Sequence, residues 1–387
     1  MRAAPPGGRT EALTDDNGET MSMRAAVLRS PGTPLTIEQV DLAPPRSGEI
    51  VVRIEASGIC HSDYHYMTGD ITCPLPVVLG HEGAGIVEEL GPDTAGTLAV
   101  GDRVALMWRP RCGRCVPCIT GNPVLCQSGP RQAATGGLLD GTSRLSREGE
   151  QLHHFLGVSC FAERVVVSET SVVRVPDGVR PEIAAIAGCA VITGVGAVLN
   201  AIGECAGESI LVLGAGGVGL SSVMGARLAG ANPIVVVDVD PEKLELAERL
   251  GATHTIDASA GNTVEQVLAL LPDGVTWAIE AIGRPATLQQ AFDCLAPAGT
   301  LVAVGLGRVG ETFAIPVNAL VQRQKRVIGS LYGSANPLVD LPKIFGLYLA
   351  GRLPLDELIG TTYPLEQVNE AYDALASGSV GRAVVIP

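Results

Sequence analysis

"LVLGAGGVG", residues 211–219, sets an apolar run against a glycine-rich turn, and its flanks repeat the theme. The run "SILVL" before it reads as a buried strand, and "LSSVMGARLAG" after it reads as a helix. Gly214, Gly216 and Gly219 stand in G-x-G-x-x-G spacing, and Asp238 closes the next apolar run, 19 residues beyond Gly219. Strand, turn, helix and acid in that order form a dinucleotide-binding unit. Gly214 permits the tight turn. Gly216 lets backbone approach a pyrophosphate, which then meets the helix N-terminus. Gly217 and Val218 complete the same stretch. Asp238 would accept hydrogen bonds from the adenosine ribose and repel a 2′-phosphate, which favours NAD over NADP. Lys243 could add a contact to that ribose. The bland reading is a glycine turn without a ligand, and the agreement of all four features speaks against it.

Outward from this turn, "PIVVVDVDPEKLELAERLGA" repeats strand then helix, and "TWAIEAIG", "AGTLVAVGLG" and "KRVIGSLYG" supply further buried strands. Such alternation predicts a doubly wound parallel sheet over residues 191–331. Upstream, from Met23 to about Gly188, the texture differs. Short β-runs such as "EIVVRIEASG" and "GDRVALM" are broken by Gly and Pro, which predicts an irregular β-rich domain. The expected organisation is a tail at 1–22, one domain from 23–190 and 332–387, and a cofactor domain at 191–331. In "LEQVNEAYDALASG", Val368, Ala371, Tyr372 and Leu375 share one helical face, with Gly378 as a stop.

The chain has 387 residues, 46% hydrophobic, with a formal net charge of −14. That charge argues against a nucleic-acid surface, an anionic membrane or a zinc-finger-like nucleic-acid module as partner or function. No apolar run reads as long enough to span a membrane. The first 22 residues lack the pattern of a secretory signal or transit peptide, so a cytoplasmic location is expected. Without such a signal, the ten cysteines are not read as disulfides.

Metal is the better reading. "CGRCVPCITGNPVLC" places Cys112, Cys115, Cys118 and Cys126 at short spacing. Four thiolates close a tetrahedral structural zinc site. An iron–sulfur cluster or a redox pair is the alternative, and the run lacks the Cys-Pro of ferredoxins. Cys60, His81 and Cys189 form a second candidate set, a Cys2His arrangement that leaves one position open for catalysis. The bland alternative is three buried core residues.

Here the chain resembles the zinc-dependent medium-chain alcohol dehydrogenases. The motifs that carry the likeness are "GICHSD", "GHEGAGIVEELG", "CGRCVPC", "GCAVITG", "GAGGVG" and "SGSVGRAVVIP". "DGTSRLSREGEQLHHFLG" is similar to the longer, liver-type or glutathione-dependent form. The resemblance implies a GroES-like catalytic domain beside a Rossmann domain, two zinc ions per chain and NAD. It also implies an alcohol or aldehyde substrate and a homodimer or homotetramer built by joining cofactor sheets. Cys60, His81 and Cys189 would hold the catalytic zinc. Glu82 would lie behind it, and Asp63 would orient His81. His61 and Arg382 would face the cofactor pyrophosphate. Ser62 would touch the substrate oxygen, and His65 would pass its proton to solvent. Trp108 and Leu306 would border the substrate pocket. His61, His65 and Trp108 also have plain surface or core readings. Relatives acting on the thiol adduct of formaldehyde carry acids just after the "GICH" segment. Here Asp70 is one position off, and Ile71 stands where an acid would fit, which weakens that alternative. A non-catalytic relative would lack zinc ligands, and none is missing.

Overall fold

The computed structural model describes residues 20–387. The chain is mixed α/β. Its upstream part holds a β-rich unit, and its downstream part holds a parallel sheet of the doubly wound kind. The first strand, Met21–Leu28, begins two residues before Met23, because Met21 and Ser22 pair with Leu42 and Asp41. The remainder of the expected tail, residues 1–19, lies outside the described residues.

Six strands form the parallel sheet, in the order His254–Asp257, Ile234–Asp238, Ile210–Leu213, Val275–Glu280, Leu295–Ala303, Arg326–Gly329. The order reverses beside Ile210–Leu213. A ligand crevice opens at such a switch point, at the carboxyl ends of the strands. All four residues of Ile210–Leu213 are buried, as a strand covered by helices on both faces requires. Gly219 is sterically enforced here: a Cβ would stand 1.7 Å from the Gly214 carbonyl oxygen. Gly214 itself sits at φ 95°, in the left-handed region that favours glycine.

The β-rich part combines a closed barrel with a seven-stranded sheet. The long strand Glu49–Gly58 pairs with Glu82–Leu90, Arg164–Ser168 and the C-terminal strand Arg382–Ile386. The chain's last strand therefore lies beside the strand that leads into "GICHSD".

The boundary expected at 190/191 lies within one continuous helical body, Pro181–Ile202. One expectation needs correction. That same body is long and apolar enough to cross a membrane by length and composition, contrary to the sequence reading. Its most apolar stretch is 89% buried inside the protein. Its apolar character is explained by the largest core, where Ile183, Ile186, Val191 and Val195 pack with Leu220 and Val223 of the helix Gly217–Leu228. Of the cysteines left without a metal role, Cys160, Cys205 and Cys294 are buried, whereas Cys73 is only half-buried.

Candidate metal centre and cofactor crevice

Cys60 is the N-cap of the helix His61–Thr68, and its sulfur accepts the Ser62 backbone N–H at 3.5 Å. A helix N-terminus favours the thiolate. Asp63, fully buried on the same helix, reaches across to the loop before Glu82–Leu90. Its Oδ1 accepts the Gly80 N–H at 3.1 Å, and its Oδ2 lies 2.9 Å from His81 Nδ1. That second contact is close, although the ring N–H does not point squarely at the oxygen. Contact at Nδ1 leaves Nε2 as the free ligand atom of His81.

Cys189 comes from the third direction. It lies in a wide π-helical turn, Ala187–Val191, within the long helical body. Such turns concentrate at functional sites. Tyr332 fastens this turn by donating its hydroxyl to the Gly188 carbonyl.

The donor atoms of Cys60, His81, Glu82 and Cys189 lie within 4.8 Å of one another, and all four residues are buried. Their mutual effects are those of a site shaped for a cation. A hydrogen bond from Cys189 holds the Cys60 thiol well below its usual value. The same contact and burial push Cys189 well above it. Two adjacent thiolates cannot both ionise in a buried pocket unless a positive ion joins them. The donor set therefore fits zinc, with two sulfurs and one imidazole nitrogen.

Glu82 and Arg382 stand immediately behind. Arg382 Nη2 donates to Glu82 Oε1, and both side chains are buried. Burial pushes the Glu82 carboxyl up to about 8, against the pull of the Arg382 charge. The Arg382 guanidinium is engaged by Glu82. Its methylenes, however, line the glycine turn: a Cβ on Gly217 would fall 2.3 Å from Arg382 Cδ. One residue thus touches both the metal cluster and the cofactor loop.

The other expected cofactor residues gather at the same crevice. Asp238 Oδ2 accepts the Ala215 N–H at 2.6 Å, and its Oδ1 accepts those of Val239 and Asp240. The acid therefore shapes the glycine loop as well as standing at the strand end. Lys243 lies 3.8 Å from Asp240. His61 keeps an open edge, yet surrounding protein desolvates its ring and lowers it, with the charges of Arg382, His65 and Lys243 adding to the effect. Arg382, Lys243 and the His61 ring thus lie near enough to one another to interact.

Aromatic rings gather beside His81. Trp108 stands edge-on to His81 at 6.1 Å and to Tyr332 at 5.0 Å between ring centroids, and Phe155 is 5.8 Å from His81. The Arg109 guanidinium lies over the Trp108 ring at 4.6 Å, a stacking that the spacing of the motifs did not reveal. Leu306 is exposed and lines a cavity of about 370 Å³ with Val124, Leu125 and Leu331. The metal-cluster side chains do not line that cavity.

Ser62 is half-buried beside Cys60. His65 Nδ1 lies 3.2 Å from Asp70 Oδ2, a partner that sequence reasoning treated only as a displaced acid. Their i, i+5 spacing across Gly69 was the available signal.

Cys112, Cys115, Cys118 and Cys126 form the second cluster, their sulfurs within 4.8 Å of one another. The Cys115 N–H donates to Cys112 Sγ at 3.4 Å, and the Cys112 N–H to Cys126 Sγ at 3.3 Å. Backbone donors, that of Arg114 first, bring the Cys112 thiol down to about 6. Four sulfurs served by backbone N–H groups fit a closed zinc site.

Comparison with known proteins agrees with this geometry. Residues 46–177 match the alcohol dehydrogenase GroES-like domain, and residues 217–344 match the zinc-binding dehydrogenase domain. The chain is 37% identical to an NDMA-dependent alcohol dehydrogenase of Amycolatopsis methanolica, over 95% of this chain and 99% of that one. Two crystal structures are close in shape. An alcohol dehydrogenase zinc-binding domain protein from Burkholderia ambifaria superposes with a TM-score of 0.91 at 38% identity, covering 95% and 100% of the two chains. Benzyl alcohol dehydrogenase from Acinetobacter calcoaceticus gives 0.89 at 33% identity, covering 95% and 99%. The chain belongs to the zinc-dependent medium-chain alcohol dehydrogenase family. Its class is therefore that of a zinc-type alcohol dehydrogenase, an oxidoreductase acting on a small-molecule alcohol.

Proposed function

We propose that the protein transfers hydride reversibly between a primary or secondary alcohol and NAD, giving an aldehyde or ketone. The observation that carries this reading is the buried Cys60–His81–Cys189 donor set, joined through Glu82 and Arg382 to the glycine turn. Cys60, His81 and Cys189 would hold the catalytic zinc, and Cys112, Cys115, Cys118 and Cys126 the structural zinc. When bound, zinc would polarise the alcohol or carbonyl oxygen, and NAD would accept or supply the hydride.

The chain's own residues would do the rest. Asp63 fixes the ring of His81 so that one nitrogen is aimed at the metal. Gly214, Gly216, Gly217, Val218 and Gly219 receive the pyrophosphate, with His61 and the aliphatic part of Arg382 alongside. Asp238 and Lys243 address the adenosine ribose. Ser62 and His65 take the substrate proton outward. Trp108 and Phe155 exclude water from the reacting atoms, and Leu306, on the exposed cavity, borders the outer part of the substrate pocket. An aromatic wall of this kind favours apolar or aromatic alcohols, and a relative of known shape is a benzyl alcohol dehydrogenase. The thiol-adduct alternative is not favoured: Asp70, its displaced acid, is already held by His65 and Arg308.

A second acceptor belongs in the reading because a relative 37% identical is NDMA-dependent. The testing experiment is a panel of benzyl and aliphatic alcohols, assayed with NAD, NADP and NDMA, with and without glutathione. Turnover of benzyl alcohol without thiol supports the proposal. Strict thiol dependence would overturn the substrate class, and strong NADP preference would overturn the role of Asp238. Oligomerisation through the cofactor sheet is part of the proposal. Val309, Val317 and Val321 are exposed in the segments before the edge strand Arg326–Gly329, and apolar surface of this kind suits a second copy.

A further inference from the structure

The proposed proton path through Ser62 and His65 leaves one nearby carboxylate unassigned. The helix His61–Thr68 ends at Gly69, whose φ of 84° turns the chain back on itself. The Ile71 N–H then bonds the His65 carbonyl at 3.1 Å, which returns Asp70 to the ring of His65. Both carboxylate oxygens of Asp70 are engaged. Oδ2 lies 3.2 Å from His65 Nδ1, and Oδ1 lies 3.0 Å from Arg308 Nε. Arg308 is not part of the catalytic domain. It lies on the connection that follows the sheet strand Leu295–Ala303, two residues after Leu306. His65, Asp70 and Arg308 therefore form a chain of contacts from the catalytic domain across the crevice to the cofactor domain.

An ionised carboxylate only accepts hydrogen bonds, so His65 Nδ1 carries the proton in this contact. Nε2 is then the free acceptor. When Nε2 takes up a proton, the positive charge on the ring is offset by the Asp70 carboxylate. Arg308 is mostly exposed, and an exposed ion pair contributes little stability. Its value lies in position. We propose that Asp70 is a positioning residue that sets the tautomer and orientation of His65. We further propose that Arg308 ties this arrangement to the seating of the 304–316 connection, so the proton exit and the cofactor domain are linked through this contact.

The inference rests on the reading of His65 as proton exit, and the experiment separates the two. Zinc-loaded protein is assayed with benzyl alcohol and NAD, comparing Asp70→Asn, His65→Gln and the double variant. Each single change is expected to lower kcat roughly tenfold, the usual order for an orienting partner. Each should also alter the solvent deuterium isotope effect on kcat. The double variant should be no slower than the slower single one. If His65→Gln changes neither quantity, the proton-exit reading fails, and the inference with it. If His65→Gln is slow but Asp70→Asn is normal, or the losses multiply, the inference alone is overturned. A second measurement needs no turnover. Hydrogen exchange of residues 304–316 should quicken about fivefold in both Asp70→Asn and Arg308→Gln and be restored in Arg308→Lys. Unchanged exchange in the first two variants would overturn the link to Arg308.

Discussion

Arg382 and Glu82, three hundred residues apart in sequence, form a hydrogen-bonded pair in which both side chains are buried. The pair stands where the C-terminal strand, the metal cluster and the glycine turn meet. A buried pair of this kind is strongly destabilised when one partner is removed, because the other charge is left uncompensated.

Glu82→Met is expected to destabilise the protein by roughly 3–5 kcal/mol, because the Arg382 charge is left buried, whereas Arg382→Met should cost less, since the Glu82 carboxyl can take up a proton. The double variant should lose much less than the sum, since no orphan charge remains. Urea unfolding of the three variants checks this. Additive losses would show that the two side chains act independently.

Zinc content separates the two metal sites. Wild-type protein is expected to carry two zinc ions per chain. Cys60→Ser should keep the structural ion and lose the catalytic one, with NAD binding largely intact. Cys112→Ser should keep the catalytic ion and unfold at lower temperature, since a four-thiolate site contributes folding free energy directly. Elemental analysis with calorimetry reads both. Full activity in a metal-stripped Cys60→Ser protein would sink the catalytic assignment.

Acid sensitivity should trace partly to Glu38. Burial raises this carboxyl, but Arg29, Thr36 and Arg147 together outweigh that and hold it at about 2, below its ordinary 4.5. A depressed folded value stabilises at pH above the unfolded value. The contribution is therefore full above pH 4.5 and lost as pH falls toward 2. Glu38→Gln is expected to cost about 1–2 kcal/mol at pH 7, allowing for the part-exposed arginines. The gap between variant and wild type should close on acidification. A gap independent of pH would assign the loss to packing.

Much of the cofactor unit was legible because its signals are local. The order of apolar run, glycine turn, helix and acid lies within 28 residues, and each part is constrained by its neighbours. The four-cysteine loop was legible for a related reason, since few functions other than metal binding need four cysteines at such spacing. Cys60, His81 and Cys189 lie far apart, and only their ligand chemistry and the family resemblance joined them. Three features were not readable in this way. The helical body Pro181–Ile202 hides its boundary because an apolar, glycine-containing run reads alike as strand or helix. Arg382 was placed by resemblance near the pyrophosphate, but its hydrogen-bond partner depends on how the last strand lies beside Glu49–Gly58. Arg308 carried no pattern at all.

The sequence by itself determined the class of fold, the four-cysteine loop and the glycine turn, because each is written in residue type and short spacing. Only the tertiary structure decided which charges meet. It brought Cys189 to Cys60 and His81, turned Arg382 onto Glu82, and laid Arg308 against Asp70. Those contacts depend on strand pairing and domain packing over long separations. Whether a charge is paired or left alone in a buried crevice is a property of that packing, and no local pattern encodes it.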